Sequence, residues 1–214
     1  MKKIMLMSVL ALGMLSAKAQ DYKAPLKATV DAFDTSKELN DKVQLSNKLT
    51  LIAKKWDREW ATHYYASFSK AVLSYLEKDA NKRDAYLDEA DKEHDDAVSI
   101  LGKETDETYV LGAMIANARL AVDPMNRWQK YGQTFSSDLE SAKELNPNNP
   151  RMYYLQGTSK FYTPKTYGGG KKAAQPYFEK AQGLYAAEKD DDINKPYWGK
   201  RLNAYYLQQC VAGE

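Results

Sequence analysis

His63 and His94 are the only imidazoles in the chain. Any histidine-based metal centre or nucleophile–base pair must be built around one of them. They lie 31 residues apart on different expected helices. The chain has no H-E-x-x-H, no paired cysteines and no G-x-S-x-G. His94 falls at a helix-packing position, so packing is its expected role. His63, in WATHYY, is expected to face solvent or a groove. The run Gly168-Gly169-Gly170-Lys171-Lys172 fails as a phosphate loop twice. Lys172 stands where Ser or Thr is needed, and Lys165 where the first glycine is needed. Free N–H groups at a helix start could hold an anion there, but a turn joining two helices is the simpler reading. Asp190-Asp191-Asp192 reads as a loop with capping capacity rather than an ion site. Nothing in the sequence sets two carboxylates across a cleft. The expectation is no catalytic residue, no metal and no cofactor.

The aromatic residues are the better functional candidates. The chain holds 16 Tyr against 5 Phe and 4 Trp, and tyrosine joins a large apolar body to a polar tip. Trp60, Tyr64, Tyr153 and Tyr154 fall on expected helices, where packing and binding compete for them. Arg127, Trp128, Tyr131 and Tyr167 fall in two expected corners. Exposed Trp, Tyr and Arg dominate binding hot spots, while the alternative role is to pack the two corners together. The candidate binding residues are therefore Arg127, Trp128, Tyr131, Tyr167, Trp60, Tyr64 and Tyr154.

The elements that position these residues are helices. Pro147 and Pro150 end whatever precedes them. A helix then carries Tyr153, Tyr154, Gly157 and Phe161, and a second carries Ala174, Phe178 and Ala181 at spacings of four and three, on one face. Phe135, Leu139 and Ala142 repeat that spacing; so do Ala90, His94 and Ala97, and, more faintly, Leu45, Leu49 and Ile52. The first members stand at 45, 90, 135 and 174. Four helical hairpins follow, near 22–56, 57–101, 104–146 and 147–187. Thr35 and Ser36 can cap the second helix, and Asn81 marks a turn. MNRWQKYG and TPKTYGGG read as insertions between the two helices of the third and fourth hairpins. Equivalent corners of a stack share an edge, so Trp128, Tyr131 and Tyr167 should cluster. Pro196 opens a last helix, a cap near 195–210.

The small–large–small pattern resembles the A-x3-F-x2-A ending of a tetratricopeptide repeat (TPR). The likeness spans roughly residues 22–187, and YYLQG…TPKTYGGG resembles exported TPR proteins of Bacteroidetes. That resemblance implies an all-α, right-handed α-solenoid of about four TPR-like hairpins. It also implies a groove, lined by first helices, that takes a peptide or protein. The corner insertions depart from the plain repeat and offer a second working surface.

Residues 1–19 have a basic start, an apolar run from Ile4 to Leu15 and Ala17-Lys18-Ala19, the pattern of a secretory signal peptide. No cysteine follows it for lipid attachment. Lys2, Lys3 and Lys18 fall in this segment, which holds no acid. A chain starting at Gln20 carries 28 basic and 29 acidic residues. No basic face for nucleic acid is implied. Cys210, the single cysteine, can form no internal disulfide and is expected to be a buried small hydrophobe. The function expected is a non-catalytic scaffold for an envelope protein or peptide, in the periplasm or secreted. The alternative is a small-ligand or glycan binder that uses the aromatic residues as a stacking platform. An enzyme comes third.

Overall fold

A computed structural model describes residues 21–212. The expected signal peptide lies outside them. The described residues are all-helical, with no strand. The helices are α1 (Lys23–Thr35), α2 (Leu39–Lys55), α3 (Trp60–Leu76), α4 (Ala80–Leu101), α5 (Asp106–Val122), α6 (Pro124–Leu145), α7 (Pro150–Tyr162), α8 (Lys171–Tyr185) and α9 (Lys200–Val211), with one 3-10 turn at Lys165–Tyr167. None of them is long and apolar enough to cross a membrane.

Local chemistry explains the boundaries. Asp79, Thr105, Asp123 and Asn149 each accept a backbone N–H of the helix they precede, satisfying donors that a helix start leaves unpaired. Pro124 and Pro150 sit in first turns, where their missing N–H costs nothing. Gly102 closes α4 in the left-handed conformation. Two expected details differ. Thr35 and Ser36 do not cap α2, whose N-cap is Glu38 with no side-chain bond. Asn81 lies inside α4, because Asp79 supplies the cap one residue before the helix.

Consecutive helices pack as hairpins: α1 on α2, α3 on α4, α5 on α6 and α7 on α8. The first helices also touch in series, α1 to α3, α3 to α5 and α5 to α7, and α9 packs on α8. Small residues make this close approach possible. Ala90, Ala97, Ala142, Ala174 and Ala181 are fully buried, and Phe178 is the fully buried knob of the last hairpin. His94 takes the knob position on α4. It is part-buried, with Nε2 2.9 Å from the Thr108 carbonyl on α5.

Gly157 faces Phe178 across the α7–α8 seam. A Cβ there would stand 2.6–2.9 Å from three ring atoms. Tyr206 stacks on the same ring at 5.5 Å with planes 7° apart, which limits its room to shift. Gly157→Ala gains about 1 kcal/mol of helix propensity but overpacks at a cost of about 1–3 kcal/mol. The expected net is a loss of about 1 kcal/mol, read as a lower urea midpoint with unchanged slope.

Asp138 on α6 is half-buried, and its carboxylate lies beside Gly112 and His94. Burial pushes its carboxyl up to about 6, with Glu104 adding to the rise and His94 opposing it. The folded value is above the unfolded one, so this group's stabilisation is complete below about pH 4 and is lost as pH rises through about 6. Asp138→Asn should therefore stabilise the protein at pH 8 by roughly 1 kcal/mol after allowing for solvent screening, and far less at pH 4. Urea titrations at the two pH values check this.

Candidate functional site

The chain after α8 returns across the first helices. Gly199 adopts φ +97° with the Tyr185 hydroxyl 2.3 Å from where a Cβ would be, so this turn accepts only glycine. It drives Trp198 inward. Trp198 stacks on Phe68 of α3 at 4.8 Å and meets Tyr154 of α7 edge-on. Its Nε1–H donates to the Tyr64 hydroxyl at 2.8 Å. Tyr197 donates to Asp31 of α1 at 2.7 Å, and Tyr22 donates to Asn194 at 2.7 Å.

Beneath this segment Arg151 is almost wholly buried between two carboxylates. It donates to Glu107 at 2.5–3.1 Å and to Glu188 at 2.7 and 3.1 Å. Burial opposes its charge, but the two carboxylates outweigh burial and hold the guanidinium charged. Burial pushes the Glu107 carboxyl up, and Arg151 pulls it back. Tyr64 also donates to Glu107, at 3.2 Å.

These contacts decide the candidate residues. Tyr64 and Tyr154 are buried, and the chain's own Trp198 covers both. Trp60 is half-buried, edge-on to Tyr64 at 5.7 Å. The groove expected along the first helices is thus filled by the segment ending at Gly199. The last helix begins at Lys200, not at Pro196, because residues 196–199 are spent on this inward turn.

The expected corner cluster does not form. MNRWQKYG is no insertion: Asp123 caps and Pro124 starts α6 directly, so Trp128 and Tyr131 lie on a continuous helix. TPKTYGGG is a true corner, with Tyr167 in its 3-10 turn. No ring pair among the described residues joins Trp128, Tyr131 and Tyr167. Trp128 and Tyr167 are 63% and 80% exposed. Arg127 is tied to Asp84 by two bonds of 2.7 and 2.8 Å, a bidentate pair that anchors α6 to α4.

A different aromatic surface does form, where α7 meets α9. Tyr206 is its centre. It stacks on Phe178, touches Phe161 at 5.2 Å and Tyr205 at 5.5 Å, and shares a 2.8 Å hydrogen bond with the Tyr162 hydroxyl. Leu202, Tyr205 and Tyr206 share a helix face at spacings of three and four. Tyr162 is 70% exposed and Tyr205 54%, and Leu202 is exposed with them. Burial and the Tyr162 hydroxyl push the Tyr206 phenol up, so it stays neutral at physiological pH. Residues 150–178 and 193–212 hold no acid, whereas Lys160, Lys165, Lys171 and Lys172 flank the corner that follows Tyr162. Sequence reasoning passed over this face. Its available signals were the doublets Phe161-Tyr162 and Tyr205-Tyr206 within acid-free stretches.

His63 departs from expectation too. It is buried, with Nδ1 2.7 Å from Glu93 of α4. Cys210 is buried, and burial pushes its thiol up.

The described residues form an all-helical array of serial hairpins with an aromatic face open to solvent. No family model and no curated protein matches the chain. Among solved structures it is similar to the HusA haemophore from Porphyromonas gingivalis, with 32% identity, a TM-score of 0.76, and coverage of 92% of this chain and 96% of that one. At that identity and span the chain belongs to the same family as that haemophore.

Proposed function

We propose that the protein is a non-catalytic binder of haem or a similar flat macrocycle, held on the Tyr162–Tyr205–Tyr206 face. The carrying observation is that exposed tyrosine cluster on helices without acids, in a chain whose relative is a haemophore. A porphyrin offers a broad π-face that packs on tyrosine rings and carboxylates that suit the lysines beside the corner. The clefts flanking the Trp198 segment suit it less. One, of about 440 Å³, is lined by four acids, Asp31, Asp34, Glu188 and Asp190, against three bases, Lys189, Lys200 and Arg201, so it lacks the acid-free character of the tyrosine face.

This reading takes the place of a peptide scaffold, because the groove that a peptide needs is occupied by the chain itself. The serial hairpins support a right-handed TPR-type solenoid as the frame. The segment 1–19 supports export, which suits capture of a ligand outside the cytoplasm. Titration of the purified chain with haem, followed by Soret absorbance, tests the proposal. Saturation at one haem per chain is the expected result, and a spectrum equal to free haem plus protein would refute it.

A further inference from the structure

The α3–α4 seam carries a group of side chains that the tyrosine face does not use. His63 on α3 points Nδ1 at Glu93 Oε2, 2.7 Å away, with Asp96 Oδ2 at 3.9 Å. The three atoms lie within 4.8 Å of one another. Glu93 and Asp96 are three apart on α4, so both face α3. We infer that His63, Glu93 and Asp96 form a binding site for one divalent first-row transition ion such as Zn²⁺.

Three observations carry this. The donor set, one imidazole nitrogen and two carboxylate oxygens, suits zinc and its neighbours. A tetrahedral site with bonds of about 2.1 Å needs donors roughly 3.4 Å apart, which lies between the 2.7 and 3.9 Å that separate Nδ1 from the two carboxylates. The His63 side chain is only 9% exposed, and Nε2 has no partner. The ring is held through Nδ1, facing the carboxylates. Charge points the same way. Two carboxylates face one imidazole, and the other cation near Asp96, Lys92, reaches it from solvent at 2.7 Å. A divalent ion balances the carboxylate pair, while Asp96, 41% exposed, leaves an entry path and room for a water ligand. The site uses none of the tyrosine face's residues: its three side chains lie on α3 and α4, whereas that face is built on α7 and α9.

The test is titration of the purified, chelator-treated chain with Co²⁺, followed by visible absorption and competed with Zn²⁺. The expected result is one ion per chain with tetrahedral d–d bands, displaced by Zn²⁺. Asp96→Asn, a change at a part-exposed position, should weaken binding by at least about tenfold, and His63→Gln should abolish it. His94→Gln should leave it unchanged. If His63→Gln does not fold, Asp96→Asn decides. Absence of saturable 1:1 binding overturns the inference, as does equal affinity in Asp96→Asn or loss in His94→Gln.

Discussion

Trp198→Ala should destabilise the fold by about 3–5 kcal/mol, the usual cost of emptying a buried tryptophan site. The side chain is 5% exposed and touches elements far apart in sequence: Phe68 on α3, Tyr154 on α7 and the Tyr64 hydroxyl. Its loss also removes the donor to Tyr64, a buried phenol that then keeps only Glu107. Arg151 loses the ring it lies over, 5.8 Å from its guanidinium carbon. Urea denaturation would show the midpoint falling with little change in slope. A loss below about 1 kcal/mol would mean that the segment before α9 is not part of the core. Haem affinity at a urea concentration where the variant is folded should be unchanged, because Trp198 points inward from the returning segment and is not on the tyrosine face. A large loss of haem affinity in a folded Trp198→Ala protein would move the ligand to the first-helix seam.

The second large effect is on binding. Tyr162→Ala combined with Tyr205→Ala should weaken haem binding by about 10- to 100-fold, at roughly 0.7–1.4 kcal/mol for each ring lost from a stacking surface. Both residues are mostly exposed, so the fold should tolerate the change, and an unaltered urea midpoint confirms it. Tyr206 is left in place because it packs on Phe178 and its removal would confound stability with binding. Tyr162→Phe with Tyr205→Phe separates ring from hydroxyl. Near-wild-type affinity is expected, since the rings supply the surface and Tyr206 remains neutral. The same double alanine variant should bind Co²⁺ like the wild type, which keeps the two proposed sites distinguishable.

Much of this molecule is written locally. Helix class, anchor spacing and several boundaries follow from residues within one or two turns. Ala174–Phe178–Ala181 must share a face at 3.6 residues per turn, and all three are buried. Asp123-Pro124 and Asn149-Pro150 start helices by capping and by a missing N–H. The error at MNRWQKYG came from reading Pro124 only as a stop, when a proline after a capping aspartate is as good a start.

The functional surfaces are not local. Trp198 reaches Tyr64 across 134 residues of chain, so no periodicity could show that the first-helix groove is filled from within. The tyrosine face joins Tyr162 to Tyr206, 44 residues apart, and exists only because α9 folds back onto α8. His63 and Glu93 are 30 residues apart and meet because two antiparallel helices pack in one register. Sequence alone determined which residues could form helices and which faces were apolar. Only the tertiary structure decided which aromatic rings were consumed by the core and which were left for a ligand, because burial depends on which distant segment arrives to cover them.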